Sequence, residues 1–297
     1  MKILLFGKNG QVGRELVRTL LPLGEVKALG RAEADLADPD GLRQVLFAHA
    51  PRFIVNAAAY TAVDRAESDE GTACRINAEA VGVMARYAAK NAAVLVHYST
   101  DYVFDGEKSG AYEETDAPNP LNAYGRTKLA GERAIRESGC TALIFRTSWV
   151  YSAHGTNFVR TILRLARERS AIDVVDDQHG APTSAELIAD VTSLSLFALR
   201  KGLLDPGIYH LTPEGGTTWH GLACRVVDQA RSLKQGLALA PEGIRPISSE
   251  AYGSPARRPR NSILDTKRLC RALDLHLPDW TVHLDRVIGQ LAGKDTP

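Results

Sequence analysis

A tyrosine and a lysine stand four residues apart in the stretch NAYGRTKLAGERA, residues 122–134. If the stretch is helical, Tyr124 and Lys128 share one face, with Cβ atoms roughly 5–6 Å apart. A phenol with an unperturbed pKa of about 10 exchanges protons poorly at neutral pH, but a nearby ammonium favours the phenolate and lowers that pKa. Such a pair could move a proton to or from a carbonyl oxygen. An ordinary solvated helix face can show the same spacing. The pair alone therefore does not distinguish a proton-transfer site from a solvent-exposed face.

Two other segments suit the same chemistry. An apolar run ends in Ser99 and Thr100, and either hydroxyl could polarise a carbonyl. Near the start of the chain, GKNGQVG places Gly7, Gly10 and Gly13 between an apolar run and a helical pattern. Glycines allow a tight turn and let a pyrophosphate approach the backbone closely. The amino terminus of the following helix favours its negative charge. A Walker loop is excluded because no Gly-Lys-Ser/Thr closes the motif.

The elements that must position these groups alternate regularly along the first half of the chain. Short apolar runs, each of strand length, cover residues 2–7, 25–30, 52–58, 93–99 and 141–148. Helical periodicity fills residues 11–22, 39–49, 70–91 and 124–138. This alternation predicts a parallel sheet wound with right-handed crossovers. The expected fold class is α/β, a Rossmann-type doubly wound parallel sheet over residues 1–150.

The pattern loosens after residue 150. We expect residues 151–297 to form mainly a smaller carboxyl-terminal substrate-binding lobe, with segments that can return to the sheet. Such a lobe would lie over the carboxyl ends of the strands, where open α/β sheets bind ligands.

Composition excludes several classes of partner. The 36 Lys and Arg residues nearly balance the 35 Asp and Glu residues, so neither nucleic acid nor an anionic membrane is an expected partner. No apolar run approaches the roughly 20 residues of a membrane span, and the opening MKILLFG is too short for a signal peptide. The expected location is cytoplasmic. Four scattered cysteines predict neither disulfides nor a zinc site, and the histidines, His97 included, are expected to be structural.

The end of the second strand bears on which dinucleotide is bound. Enzymes that use NAD usually place an acidic residue there, to bind the ribose hydroxyls. Here Gly30 and Arg31 occupy that place, and a guanidinium suits a 2′-phosphate, so NADPH is the expected cofactor, with NADH also open. Glu33 and Asp35 follow, either near the adenine or capping the next helix. The third strand ends in small residues at 57–59, against which a cofactor can lie.

The motifs GxxGxxG, NAAA, YSTDYVF and YGRTKLAGE together resemble the extended short-chain dehydrogenase/reductase superfamily. A longer series, HYSTDYVFDG, IFRTSWVY, DDQHGAPT, YHLTPEGGTTWHGLA and RPRNSILDT, resembles the dTDP-4-dehydrorhamnose reductase family from end to end of the chain. This resemblance implies an enzyme that uses NAD(P)H to reduce the C4 keto group of dTDP-4-dehydro-L-rhamnose, giving dTDP-L-rhamnose. The implied partner is a nucleotide sugar.

The resemblance also implies roles for individual residues. Tyr124 would donate the proton, Lys128 would be its partner and Thr100 the third catalytic hydroxyl. The implied substrate contacts are Thr100, Asp101, Trp149, Arg258 and Asn261. The implied cofactor contacts are Gly7, Gly10, Gln11, Val12, Gly13, Gly30, Arg31, Asp35, Leu36, Ala57, Ala58, Ala59, Tyr60, Thr61, Tyr98, Tyr124 and Lys128. A guanidinium fork such as that of Arg258 suits phosphate oxygens on physical grounds as well.

The same resemblance implies a homodimer bridged by Mg²⁺, with Glu15 and Glu186 as tentative metal ligands. Gln290 stands where a third glutamate is expected, and an amide is a weaker ligand for a hard cation than a carboxylate. The amide at this position counts against a bound Mg²⁺. Glu15 could equally be a favourable charge in the first turn of a helix.

Two alternatives to this function remain open. One is a reductase or epimerase of another nucleotide 4-keto sugar. The other is a non-catalytic regulatory subunit of the type that binds a methionine adenosyltransferase. The intact set of Thr100, Tyr124, Lys128 and the glycine loop favours catalysis, because a scaffold has no chemical need for it.

Overall fold

Parallel strands form the central sheet of the protein, seen in a computed structural model that describes residues 1–294. The last three residues of the predicted lobe lie outside the described residues. The strands are β1 (Lys2–Phe6), β2 (Glu25–Leu29), β3 (Phe53–Asn56), β4 (Val94–Thr100), β5 (Thr141–Thr147), β6 (Val150–Tyr151), β7 (Ile172–Val175), β8 (His179–Gly180), β9 (Thr183–Ser184), β10 (Gly207–His210), β11 (Thr217–Thr218) and β12 (Ile244–Ile247). Six of them make one sheet in the order β2-β1-β3-β4-β5-β10, with every neighbouring pair parallel. The predicted fold class and the five predicted strands are confirmed.

Helices cover both faces of this sheet and build the second half of the chain. They are α1 (Gln11–Thr19), α2 (Pro39–His49), α3 (Val63–Ala66), α4 (Glu70–Cys74), α5 (Ala80–Lys90), α6 (Ala123–Ser138), α7 (Phe158–Glu168), α8 (Ala185–Arg200), α9 (Trp219–Ser232), α10 (Ser249–Tyr252), α11 (Lys267–Leu273) and α12 (Trp280–Lys294). A π-helical turn, Arg75–Glu79, joins α4 to α5, so the helix predicted over residues 70–91 is continuous. No helix within residues 1–294 is long and apolar enough to cross a membrane.

The strand order reverses between β1 and β3, which is the place where open α/β sheets bind ligands, at the carboxyl ends of the strands. β1 pairs with β2 on one side and β3 on the other, so the chain leaves these two strands in opposite directions. Gly7 follows β1 with a φ of 87°, and a Cβ on it would lie 2.7 Å from the carbonyl carbon of Ala57. Only glycine permits this approach, which brings the two strand ends together.

Helix α6 carries the Tyr124 and Lys128 pair to the same edge. It begins because the Asn122 side chain accepts a hydrogen bond from the Gly125 backbone N–H at 2.8 Å, and it ends at Gly139 in the left-handed conformation. Its Asn122 Nδ2 also donates to the carbonyl of Arg257 at 2.8 Å. The helix that was predicted over 124–138 therefore starts one residue earlier, tied to the carboxyl-terminal half.

The second half of the chain is not a separate layer. Strand β10 returns to the central sheet beside β5, and α8 packs on α1, where the Ser193 hydroxyl donates to the Thr19 carbonyl at 2.8 Å. The pairs β6-β9, β7-β12 and β8-β11 surround a core of their own with α7, α9 and α12. The boundary at residue 150 stays a prediction, since segments on both sides of it contribute to the sheet.

Gly131 is where α6 packs most tightly, which gives a prediction about stability. A Cβ there would lie 2.3 Å from the backbone oxygen of Asn77, an atom held by the π-helical turn. We expect Gly131→Ala to lower the free energy of unfolding by about 1–3 kcal/mol, because the backbone must shift to relieve the overlap. Gly289→Ala is the matched control: nothing lies within 4 Å of its Cβ position on α12, so better helix propensity should leave stability equal or higher. Urea unfolding midpoints measure both, and a Gly131→Ala protein as stable as the control contradicts this account of the packing.

Candidate active site

Lys128 is the most deeply buried charged residue of the predicted catalytic set. Only 2% of it is exposed, and its Nζ lies 2.5 Å from the Tyr98 carbonyl oxygen and 3.3 Å from His97 Nε2. Burial lowers the pKa of Lys128 to about 8, while the negative charge of Glu132 acts in the opposite direction. Its amine form is therefore accessible near neutral pH.

The environment of Tyr124 differs from the sequence-based expectation. Burial and the charge of Asp101 raise the pKa of its phenol, and a hydrogen bond with Thr100 only partly offsets them. The ammonium of Lys128, expected to lower that pKa, is instead directed to Tyr98 and His97. The expectation of a phenolate-favouring lysine is thus not met in this structure. The phenol therefore keeps its proton at neutral pH and is a weaker acid than an isolated tyrosine.

Thr100 and Asp101 lie beside this phenol, where β4 runs into a 3-10 turn, Asp101–Val103. The Thr100 hydroxyl donates to Asp101 Oδ1 at 2.8 Å and accepts from the Tyr102 backbone N–H at 3.1 Å. Burial raises the pKa of Asp101 to about 6, although the hydroxyls of Ser262 and Thr100 act in the opposite direction. Its Oδ2 is buried with no hydrogen-bond partner among the described residues, which leaves an acceptor for a ligand hydroxyl.

A buried ion pair that sequence reasoning missed lies behind these groups. Arg146 of β5 binds Glu132 of α6 through two hydrogen bonds of 3.0 and 2.7 Å, with each residue about 2% exposed. The Ser99 hydroxyl donates to the same carboxylate. Glu132 stands four residues after Lys128, so helical spacing from Lys128 was the signal that could have identified it.

The glycine loop has the geometry that a pyrophosphate needs. A Cβ atom on Gly13 would lie only 2.0 Å from the backbone oxygen of Gly7. The loop and the first turn of α1 are therefore in direct contact. Gly10 is the N-cap, with no side chain to cap α1 and no acid in the first turn. The free N–H groups of Gln11, Val12 and Gly13 are therefore left for an anion. Gln11 Oε1 accepts from Asn157 Nδ2 at 2.8 Å, which ties the loop to the second half of the chain.

Two basic residues, Lys8 and Arg31, and two acids, Glu33 and Asp35, lie around the end of β2. Lys8 binds one oxygen of Glu33, and the Gly30 backbone N–H donates to the other at 2.8 Å. Arg31 is exposed and pairs with Asp35 at 3.3 Å, whereas the neighbouring Leu36 is buried in the core below the sheet. Glu33 thus stands at the strand end beside Gly30, whereas the sequence analysis placed it near the adenine or at the cap of the next helix.

The ends of β3 and β4 complete the predicted cofactor wall. Residues 57–60, which follow β3, are half-buried, and Thr61 is exposed. Asn77 fixes this segment by accepting from the Tyr60 backbone N–H at 2.9 Å and donating to its carbonyl at 3.1 Å. Tyr98 differs: its phenol hydrogen-bonds Thr192 of α8 at 2.9 Å, so its side chain belongs to the core and only its carbonyl faces Lys128.

A cavity of about 620 Å³ lies beside the amino terminus of α6 and is lined by Arg257, Arg258 and Arg260 together with Gln178 and Ser249. Arg258 donates to Asp64 at 2.8 Å, and the phenol of Tyr102 also holds it. Asn261 has a different role from the predicted substrate contact. Its Nδ2 donates to the carbonyls of Lys108 and Gly110 and its Oδ1 accepts from Ile263, so its amide is fully used by the protein.

Trp149 has a strained backbone next to the strand end. Its φ of 48° is a left-handed conformation that costs a bulky residue roughly 1–2 kcal/mol. The indole stacks on Trp219 with ring centroids 3.6 Å apart, and a Cβ on Gly180 would overlap it. Strain of this kind often marks functional positions, and Trp219 is a second aromatic residue that the sequence analysis did not single out.

The predicted metal ligands are engaged by other groups. Glu186 accepts from Gln290 Nε2 at 2.9 Å and pairs with Arg286 at 3.0 Å, and Glu15 lies 3.7 Å from Arg18. No group of three or more metal-ligating side chains occurs within the described part of the chain. The guanidinium of Arg286 already compensates the Glu186 carboxylate, so magnesium is not supported.

Comparison with known proteins identifies the family. The family model described as "RmlD substrate binding domain" matches residues 1–292. The dTDP-4-dehydrorhamnose reductase of Burkholderia thailandensis is 50% identical over 94% of this chain and 95% of its own length, and that of Salmonella typhimurium is 47% identical over 98% of both. The chain belongs to the dTDP-4-dehydrorhamnose reductase family. The resemblance inferred from the sequence motifs is thereby confirmed.

A solved structure of the same family agrees with the fold. The dTDP-4-dehydrorhamnose reductase of Bacillus anthracis, in complex with NADP, superposes with a TM-score of 0.87 at 33% identity, over 97% of this chain and 99% of that one. The glycine loop and the open amino terminus of α1 in the present chain fit a dinucleotide of that kind. Use of a nicotinamide dinucleotide is therefore supported.

The buried ion pair of α6 gives a prediction that separates it from surface pairs. Glu132→Gln removes one charge and leaves Arg146 buried without its partner, so we expect a loss of about 3–5 kcal/mol in the free energy of unfolding. Glu70→Gln is the matched control, since the pair of Glu70 with Arg126 on α6 is exposed and should contribute less than about 1 kcal/mol. Urea unfolding of both variants measures the difference. Equal losses in the free energy of unfolding would contradict the conclusion that the buried pair stabilises the protein more than the exposed one.

Proposed function

We propose that this chain is a dTDP-4-dehydrorhamnose reductase, which uses NAD(P)H to reduce the C4 ketone of dTDP-4-dehydro-L-rhamnose. The observation that carries the proposal is the buried pair of Tyr124 and Thr100 at the carboxyl end of β4, with Lys128 one turn further along α6. Relatives of 45–50% identity over nearly the full chain support the assignment. A regulatory subunit without catalysis has no need for this buried cluster.

Proton transfer is the part of the reaction that the side chains perform. When bound, the reduced nicotinamide supplies the hydride for the ketone carbon. The Tyr124 O–H bond breaks and its proton goes to the ketone oxygen, and the resulting phenolate regains a proton from solvent. Thr100 helps to orient the phenol, while the free oxygen of Asp101 accepts a hydroxyl hydrogen of the sugar.

The cavity beside α6 is the proposed site of the nucleotide diphosphate. Three arginines face it, and the guanidinium of Arg258 is held in place by Asp64, so little side-chain freedom is lost on binding. We assign Arg258 to the phosphates and Trp149 to the sugar, and we no longer assign Asn261 to the substrate. Residues 1–150 supply the dinucleotide side of the cleft in this proposal and residues 151–297 mainly its substrate side, in the cytoplasm, where reduced nicotinamide is available.

NADPH is the proposed preferred cofactor, with NADH accepted. Arg31 and Lys8 are the cations at the end of β2, and both suit a 2′-phosphate. Glu33 disfavours the 2′-phosphate of NADPH, because its negative carboxylate lies between Lys8 and the Gly30 backbone N–H. The preference is therefore expected to be small.

The decisive experiment follows nicotinamide absorbance with the purified protein and a panel of nucleotide 4-keto sugars that differ in base and sugar. We expect turnover of dTDP-4-dehydro-L-rhamnose and little with the others. Tyr124→Phe should lower this turnover by about 10²–10⁴-fold, because it removes the proton donor and leaves the rest of the site. Tyr87→Phe, which removes a hydroxyl from α5, should have wild-type activity. No turnover of any sugar favours the regulatory alternative, and an active Tyr124→Phe protein excludes the proton-donor role.

The charges at the end of β2 give a separate prediction about cofactor choice. Arg31→Ala should weaken NADPH binding roughly fivefold and leave NADH unchanged, a modest effect because Arg31 is exposed. Glu33→Gln should act the other way and strengthen NADPH binding. Arg43→Ala, at an exposed pair on α2, is the control for loss of one positive charge. Titrations followed by nicotinamide fluorescence measure all of them, and equal losses of NADPH and NADH affinity in Arg31→Ala exclude a contact with the 2′-phosphate.

A further inference from the structure

Tyr102 lies between the proposed diphosphate site and the proposed proton donor, and the reaction as described above gives it no role. It belongs to the 3-10 turn that follows β4, and it is 9% exposed. Its ring contacts the ring of Tyr124 edge to face, with centroids 5.9 Å apart and planes at 81°. Its hydroxyl, at the far end of the side chain, hydrogen-bonds the guanidinium of Arg258. One side chain therefore contacts both the arginine assigned to the phosphates and the tyrosine assigned to proton transfer.

The backbone of Tyr102 is held on two sides. Its N–H donates to the Thr100 hydroxyl at 3.1 Å. Its carbonyl oxygen lies against the first turn of α6, where a Cβ on Gly125 would overlap it. The backbone therefore cannot shift without moving Thr100 or the start of α6. The positions of the ring and the hydroxyl are thus set by the fold, before any substrate binds.

The direction of the hydrogen bond between Tyr102 and Arg258 follows from their chemistry. A guanidinium has several N–H donors and no acceptor, so the phenol oxygen must accept. Another donor of the same group, Arg258 Nη2, bonds the Asp64 carboxylate at 2.8 Å. Two acceptors therefore fix the guanidinium, and its fork keeps further donors for phosphate oxygens in the cavity that Arg258 lines.

The segment that carries Arg258 is also fixed beside this turn. The Asp64 carboxylate accepts from the Ala256 backbone N–H at 3.3 Å. Gly106, with a φ of 78°, lets the segment approach so closely that a Cβ on it would lie 2.6 Å from Pro259 Cβ. Tyr102 therefore meets an arginine whose own backbone is held in place.

We propose that Tyr102 is a positioning residue with two separable roles. Its hydroxyl holds Arg258 for the nucleotide diphosphate, and its ring holds Tyr124 for proton transfer. The hydroxyl then acts on the affinity for substrate, whereas the ring acts on the rate of the chemical step. This inference rests on the proposed roles of Arg258 and Tyr124.

The first test removes the hydroxyl and keeps the ring. Calorimetric titration of dTDP into protein saturated with NADP⁺ should give a Kd roughly 3–10-fold higher for Tyr102→Phe, the usual effect of one lost hydrogen bond. The kcat of Tyr102→Phe should stay close to that of the wild type, while KM rises with Kd. An unchanged Kd overturns the role of the hydroxyl.

Tyr209→Phe is the matched control for this test. It removes a hydroxyl from another buried tyrosine, one that donates to the Asp205 carbonyl at 2.8 Å beside β10. We expect it to change neither the Kd of dTDP nor kcat. An equal rise of Kd in Tyr209→Phe and Tyr102→Phe contradicts a specific role for Tyr102.

A double-mutant cycle tests whether the hydroxyl acts through Arg258. In the Arg258→Ala background the arginine is absent, so adding Tyr102→Phe should weaken dTDP binding no further. A general loss of stability would instead weaken binding by the same factor with and without the arginine. That outcome overturns the proposal.

The third test removes the ring. Tyr102→Leu should have a kcat roughly tenfold below that of Tyr102→Phe, because Tyr124 loses its edge-to-face neighbour and its alignment with the ketone. If Tyr102→Leu does not fold, Tyr102→Met serves in its place, because an unbranched thioether adapts to the space. A folded variant of either kind with the kcat of Tyr102→Phe overturns the role of the ring.

The wild-type titration separates this inference from the proposed function. A wild-type protein that does not bind dTDP has no diphosphate site, and that result overturns both. If the wild type binds dTDP and Tyr102→Phe binds it equally well, the proposed function stands and only the role of Tyr102 is overturned.

Discussion

Two opposite charges buried one turn apart on α6 constrain everything around the proposed active site. Lys128 and Glu132 are each about 2% exposed, and an unpartnered charge at that depth costs several kcal/mol. The neighbouring strands supply the partners: β5 brings Arg146 to Glu132, and β4 brings the Tyr98 carbonyl and His97 to Lys128. For this reason β4 and β5 carry the polar residues His97 and Arg146 among apolar ones. Their contacts with Lys128 and Glu132 set the distance of α6 from the sheet.

This fixed helix also positions the proposed catalytic groups. Tyr124 lies one turn from Lys128, so anchoring the lysine also sets the phenol beside Thr100 and Asp101. The amino terminus of α6 is in turn bonded through Asn122 to the segment that carries the cavity arginines. The proposed proton donor and the proposed nucleotide site are thus both connected to α6.

The contact between the two halves of the chain is polar at the cleft and apolar behind it. Gln11 of the glycine loop is bonded to Asn157, whereas α8 joins α1 through the apolar core on the face of the sheet opposite to Leu36. Trp149 is the exception at the strand end, since its left-handed backbone and its stack on Trp219 occupy the space that faces the cleft. The α1 and α8 surface also holds Glu186, whose pairing with Arg286 leaves no group of metal ligands among residues 1–294.

The sequence by itself determined the fold class, the strand and helix order, the glycine loop and the pair of Tyr124 and Lys128, because each depends on local periodicity or on spacing within one element. Only the tertiary structure decided what these groups contact. Arg146 and Glu132 lie on different elements, Lys128 contacts His97 and not Tyr124, and the Asn261 amide bonds a neighbouring loop. Such choices depend on which polar atoms meet in the interior once the strands are ordered. Burial then sets the pKa of each group, and no spacing along the chain reports it.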